Sequence, residues 1–244
     1  MFVSRRRILC KLCALTGAGL HAETPATPRA ADRPAPIADK DWYHRYGDHQ
    51  GLLTNGRFDV VFIGDSLTDF WAYTGRAAWD AQIAPLKAMN CGIAADRTEH
   101  ILWRIEHYDF HRAKPKLFVL LMGTNNLGMD PPDSPESVVR AILTATRFLL
   151  AHNASSKVLL LGIPPSGLEA GSALRTRIQK TNALLAAEKL PPSMTFLPLY
   201  SSFVDEKDLW RDGLTLDGTH FSTAGYARLA DLLAPKLSEL LGSK

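Results

Sequence analysis

From Trp42 onward, short and almost uninterrupted apolar runs alternate with longer stretches in which apolar residues recur every three or four positions. Five of the short runs, at 59–64, 86–91, 117–122, 158–163 and 195–200, read as strands. A strand apolar on both faces is buried on both, the condition of a parallel sheet covered by helices on each side. The longer stretches supply those helices. One is expected to begin at Asp96, where Glu99 follows three residues later as in a capping box, ahead of Ile101, Leu102 and Ile105. Others are expected over 135–151, with Pro135 in the first turn, 172–189 and 223–241. This rhythm predicts an α/β fold: a three-layer α/β/α sandwich around a five-stranded parallel sheet. Ligands of such sheets sit outside the carboxyl ends of the strands.

The first 41 residues break the rhythm. Residues 1–22 read as an export signal: basic Ser4-Arg5-Arg6-Arg7, a modestly apolar stretch from Ile8 to Leu20, then Leu20-His21-Ala22 as a cleavage site. The stretch is too short to span a bilayer. The order Ser-Arg-Arg-x-Ile-Leu looks like a twin-arginine signal, with general secretion as the alternative route. Cys10 and Cys13 follow Leu9 and Leu12, where a lipid-modified cysteine would follow a small residue, so no stable membrane anchor is expected. Residues 23–41 are rich in Pro and Ala and read as a linker, which leaves 42–244 as one folded domain, expected in the periplasm or outside the cell.

Charge and cysteine content narrow the chemistry. The net charge of +3 owes much to the arginines of the first seven residues, so nucleic-acid binding gains little support. Once the signal is removed only Cys91 remains, and it can form no internal disulfide. The domain has no HExxH and no paired Cys/His cluster, and His107 and His111 suit a helix end and its loop, so no metal is expected.

The polar interruptions fall at strand ends. Gly64-Asp65-Ser66 follows the first apolar run, Asn90-Cys91-Gly92 closes the second, Gly123-Thr124-Asn125-Asn126 follows the third and Asp217-Gly218-Thr219-His220 comes after the fifth. All four belong to one rim. Ser66, where a strand gives way to a helix, is the candidate nucleophile, and its N–H lies among the unpaired donors of a helix start. His220 is the candidate base, because imidazole can take a proton near neutral pH and return it to a leaving alcohol. Asp217, three residues earlier, can reach the far ring nitrogen and fix the tautomer. Gly92 N–H and the Asn125 amide, with Ser66 N–H, are candidate donors to a developing oxyanion. Each has an ordinary reading when alone: Ser66 as a helix cap, Asn125 and Asp217-Gly218 as turn residues, His220 as a solvated loop histidine. Their complementary roles on one rim favour the catalytic reading. No G-x-S-x-G elbow is present, which removes the α/β-hydrolase alternative.

Gly64-Asp65-Ser66-Leu67, Gly92, Asn125 within Gly-Thr-Asn-Asn, and Asp217-x-x-His220 resemble, in order, the four blocks of the SGNH (GDSL) hydrolase superfamily. The stretch from Asn90 to Ile105 is similar to the branch that holds the catalytic subunits of platelet-activating-factor acetylhydrolase and their bacterial relatives. The resemblance implies a flavodoxin-like sandwich, no metal or organic cofactor, and hydrolysis of short-acyl, chiefly acetyl, esters by Ser66, His220 and Asp217. It also allows a homodimer. Export favours a small-molecule or polysaccharide ester as substrate. The relatives usually carry glycines where this chain has Ala94 and Ala95, and alanine resists positive φ, so the loop beside Gly92 is expected to differ. A non-catalytic binding module and an acyltransferase are the competing readings, the first weakened because no site residue has been lost. Phe70, Trp71, Tyr73 and Trp210 are expected to serve more as packing residues than as pocket walls.

Overall fold

The computed structural model describes residues 31–242. Its sheet contains β1 (Val60–Gly64), β2 (Ala88–Gly92), β3 (Leu117–Leu121), β4 (Lys157–Leu161) and β5 (Met194–Leu197), all parallel, in the order β2-β1-β3-β4-β5. Every apolar run predicted as a strand contributes one. β2 starts later than expected because Ala84–Leu86 forms a helical turn, closed by Lys87 in a left-handed conformation. β5 stops at Leu197, before Pro198, which has no N–H to offer a ladder.

Helices cover both faces: α1 (Lys40–Asn55), α2 (Ser66–Asp69), α3 (Arg76–Ala78), α4 (Thr98–His107), α5 (Thr124–Gly128), α6 (Pro135–His152), α7 (Ala173–Ala187), α8 (Tyr200–Phe203) and α9 (Thr223–Leu241). Strand alternation divides the core in two. Val61, Ile63, Phe118, Leu120, Val158 and Leu160 meet Leu53 of α1, Ile101 of α4, Ile142 of α6 and Ile178 of α7. Val60, Phe62, Val119, Leu121, Leu159 and Leu161 meet Trp71, Phe203 and Leu229, Leu233 and Leu237 of α9. The three-layer sandwich is thus observed. β1 lies between β2 and β3, so successive connections leave it in opposite directions, and its carboxyl end lies at the crevice where ligands of such sheets bind.

Two local expectations differ from the structure. Asp96 does not cap α4; Arg97 does, and its N–H donates to His100 Nδ1 at 3.0 Å. Asp96 is instead buried, accepting from Trp42 Nε1 and Arg104 Nε, both at 2.7 Å. Residues 31–39, assigned to the linker, dock on the domain: Ala31 is buried and its carbonyl accepts from Thr98 Oγ1 at 2.7 Å, and Ala35 N–H donates to Glu99 O at 3.0 Å. Asp39 then caps α1 by accepting from Trp42 N–H. The expected export segment and the start of the linker lie outside the described residues.

Candidate active site

Ser66 is the first residue of α2, directly after the buried β1. Asp65 caps that helix, its Oδ1 accepting from Leu67 N–H at 3.0 Å while its carbonyl takes the N–H groups of Thr68 and Asp69. Ser66 N–H has no acceptor among the described residues and stays available at the helix start. Burial pushes the Asp65 carboxyl up to about 7, against the pull of the Leu67 N–H. Gly64 is needed at the strand end because a Cβ there would overlap Leu121 O and the Thr68 side chain.

His220 reaches Ser66 from 154 residues away, with Nε2 at 3.0 Å from Oγ. Its Nδ1 is 2.7 Å from Asp217 Oδ2, and Asp217 Oδ1 accepts from the backbone N–H of Thr219 and His220 at 2.9 and 2.8 Å. Partial burial would raise the Asp217 carboxyl, but the His220 N–H, the His220 ring and the Thr219 N–H outweigh it and hold it below its usual range. An ionised carboxylate can only accept, so Nδ1 bears the ring proton and Nε2 is the lone pair that accepts from Ser66.

The turn itself is pinned from outside. Thr215 Oγ1 accepts from Gly218 N–H at 2.9 Å and donates to His220 O at 3.0 Å, and Leu216 N–H donates to His220 O at 2.8 Å. Trp210 Nε1 and Gly167 N–H both donate to Gly218 O, at 3.0 and 2.8 Å. Gly218 has φ +88°, a conformation that suits glycine. Arg175, fully buried, donates to Gly167 O through Nε and Nη2 and fastens that supporting loop to α7. Sequence reasoning missed Arg175, because its partners lie in loops and no periodic pattern marks them.

The structure corrects the role given to Gly92. Its N–H donates to Asn90 Oδ1 at 2.8 Å, and a Cβ on it would overlap the backbone of Asp69. Gly92 is therefore the place where α2 crosses β2, and its N–H is already taken. The loop donor without an acceptor among the described residues is Ala95 N–H, at φ +64°. Asn125 Nδ2 donates one proton to Asp96 O at 2.8 Å, which holds its amide against the peptide next to Ala95 and leaves a second proton free. Ala95 thus keeps the positive φ that glycine would adopt more easily. Ala95→Gly is expected to raise folding stability by about 0.5–1 kcal/mol, the left-handed penalty less the added freedom of the unfolded chain. Chemical denaturation measures this, and a destabilised variant would show the loop unstrained.

Below the rim, Arg104 ties the loops together. Fully buried, it donates to Gly64 O at 3.0 Å, Cys91 O at 2.7 Å, Tyr108 Oη at 2.9 Å and the Asp96 carboxylate. Burial alone would lower it, and Asp96 more than compensates and keeps the guanidinium charged. Cys91 is buried and its thiol is pushed up to about 12, so it is inert. Two hollows meet at Ala95. One, of about 410 Å³, is lined by Arg97, Asn125, Met129, Ser166, Leu174 and Thr219; the other, of about 460 Å³, by Trp42, Arg45, Asp69, Tyr73 and Ile93. Of the four aromatics near the blocks, Trp71 is buried and Trp210 packs on Phe203 and Phe221, whereas Phe70 stacks on His220 and Tyr73 is exposed.

The profile of the GDSL-like lipase/acylhydrolase family matches residues 62–228, which contain every residue of the rim. The chain is 30% identical over 218 residues to platelet-activating factor acetylhydrolase IB subunit alpha2 of Gallus gallus, covering 88% of this chain and 91% of that one. It is 30% identical to the alpha1 subunit of Homo sapiens over 221 residues, 86% of this chain and 90% of the other. Among solved structures, a GDSL-like lipase from Bacteroides thetaiotaomicron superposes with a TM-score of 0.68 at 21% identity, covering 81% of this chain and 97% of that one. Axe2, an acetylxylan esterase from Geobacillus stearothermophilus, superposes with a TM-score of 0.54 at 20% identity, covering 76% and 94%.

Proposed function

Because the chain belongs to the GDSL-like lipase/acylhydrolase family of the SGNH superfamily, and is a carboxylic-ester hydrolase, we propose that it cleaves short-acyl esters through a Ser66–His220–Asp217 triad. The observation that carries this reading is the continuous hydrogen-bonded path from Ser66 Oγ through both ring nitrogens of His220 to Asp217. Ser66 Oγ attacks the ester carbonyl carbon as His220 Nε2 takes its proton. Ser66 N–H, Ala95 N–H and the free Asn125 amide proton meet the oxyanion that forms. Collapse breaks the bond to the alcohol, which leaves with the proton from His220. Water, deprotonated by the same nitrogen, then releases the acid and restores Ser66. The acetyl preference is supported by the names of the relatives, one an acetylhydrolase subunit and one an acetylxylan esterase. A small-molecule or polysaccharide ester outside the cytoplasm is the proposed substrate, supported by the basic and apolar first 22 residues.

Two measurements test the triad and the acyl preference. An organophosphonate should label one serine, Ser66, and the rate on p-nitrophenyl esters should fall as the acyl chain lengthens; labelling elsewhere, or a preference for long chains, refutes the corresponding half. Asn125→Ala is expected to lower kcat by about 10²–10³-fold with KM much less affected, since a preorganised donor acts on charge that develops in the transition state. A raised KM at constant kcat would make Asn125 a substrate-binding residue instead. Asp217→Asn is expected to lower kcat by up to about 10⁴-fold by releasing the tautomer. Near-normal turnover would reduce the site to a Ser66–His220 dyad.

A further inference from the structure

The Asp217–His220 pair is open on one side. The Asp217 side chain is 54% exposed and that of His220 25% exposed. Both sit on a four-residue turn, so the carboxylate moves with the ring that it orients and cannot alone fix where that ring points. An imidazole held only at its edge can still tilt about the line of its two hydrogen bonds. What limits the tilt is contact with a face.

That contact comes from Phe70. Its ring lies against the His220 imidazole with centroids 4.9 Å apart and planes 26° from parallel. Phe70 is four residues beyond Ser66, and its carbonyl accepts from Tyr73 N–H at 3.0 Å and Gly75 N–H at 2.9 Å, which fixes its backbone. Tyr73 closes on the Phe70 ring edge-to-face at 6.0 Å and 88°. The segment that carries the nucleophile therefore also carries a wall for the base. An aromatic face suits both states of the base, packing against the neutral ring and attracting the positive charge that His220 acquires as Ser66 attacks.

We infer that Phe70 is a positioning residue for His220, holding the imidazole plane in line with Ser66 Oγ through proton transfer. The inference rests on the triad reading above. Phe70 acts through the ring it stacks on, so its effect falls on turnover rather than on substrate binding.

The test compares Phe70→Leu, which keeps much of the volume but removes the flat face, with Phe70→Tyr, which keeps the face. On p-nitrophenyl acetate, Phe70→Leu is expected to lower kcat about tenfold with KM within about twofold, and to slow organophosphonate labelling of Ser66 by a similar factor. Phe70→Tyr should restore both to near wild type. A packing role alone would lower the melting temperature and leave the activity of the folded fraction unchanged, and that result overturns the inference. So does a rise in KM at constant kcat, which would make Phe70 a wall of the substrate pocket. If Phe70→Leu fails to fold, Phe70→Met supplies the same comparison. Failure of wild-type Ser66 to label removes the triad reading and this inference together, whereas normal wild-type labelling with an unaffected Phe70→Leu removes this inference alone.

Discussion

Ser66→Ala or His220→Ala is expected to cut esterase turnover on the order of 10⁶-fold, and the double variant should be no worse than either single one. The reason lies in how little else each side chain does. Ser66 Oγ has His220 Nε2 as its partner, and among the described residues the His220 ring hydrogen-bonds to Ser66 and Asp217 and stacks on Phe70. Neither side chain supports a strand or closes a helix; α2 is capped by Asp65 and the turn is held by Thr215, Trp210 and Gly167. Folding stability should therefore stay within about 1 kcal/mol of wild type, the range of substitutions away from core and caps. Steady-state kinetics and chemical denaturation on the same preparations test both halves. Substantial residual turnover in purified Ser66→Ala would refute the nucleophile assignment. A loss of several kcal/mol of stability would return Ser66 to a structural role.

Arg104→Met is expected to be the most damaging change away from the rim, costing about 3–5 kcal/mol of stability, because it strands a buried carboxylate. Asp96 has no access to solvent, and its remaining side-chain neighbours would be the Trp42 indole and the His100 ring, whose Nδ1 is 3.9 Å from Oδ1. The carbonyls of Gly64 and Cys91, at the ends of the two strands that carry Asp65-Ser66 and Gly92, would also lose a donor. The damage should depend on pH with a definite sign. Burial raises Asp96 even with the guanidinium beside it. Without Arg104 the rise is greater, so the folded state retains a proton that the unfolded chain has lost, and stability falls as pH increases above the ordinary carboxylate range. Arg104→Met should thus lose more at pH 8 than at pH 5. Removing both charges with Asp96→Leu/Arg104→Met should recover part of the loss. A cost below about 1 kcal/mol that is flat with pH would show that water reaches the pair.

The architecture was legible because its signal is local. Val60–Ile63, Leu117–Leu121 and Val158–Leu161 are apolar at successive positions, and only strands buried on both faces use such runs. Ser66 and Asn125 were legible as polar interruptions at strand ends, and Asp217 and His220 as a polar turn ahead of the helix that became α9. What stayed hidden depends on partners distant in the chain. Asp96 has the sequence signature of a cap, yet Arg104 and Trp42 draw it into the core, and Trp42 is 54 positions away. Gly92 looked like an open donor because nothing in Asn-Cys-Gly shows that the Asn90 side chain turns back onto its N–H. α1 went unnoticed for another reason: Gly47 and Gly51 dilute its pattern, and it is held by Leu53 in the core and by Trp42 and His49 against Asp96, Trp103 and Tyr108 on and around α4.

Tyr226 Oη, on α9, donates at 2.9 Å to Leu67 O, one residue past Ser66. This last described helix thus locks the first helical turn after β1, and His220, whose Nε2 pairs with Ser66 Oγ, lies just ahead of that same helix. Contacts of this sequence separation are expensive in loop entropy and form late. A chain emerging from the ribosome contains Ser66 long before it contains His220, 154 residues later, and under the triad reading the Ser66 hydroxyl has no base until α9 docks. Under the triad reading, ester cleavage is therefore expected to report the docking of α9. In a refolding experiment its return should follow the slowest phase, after helix content and core fluorescence have already recovered.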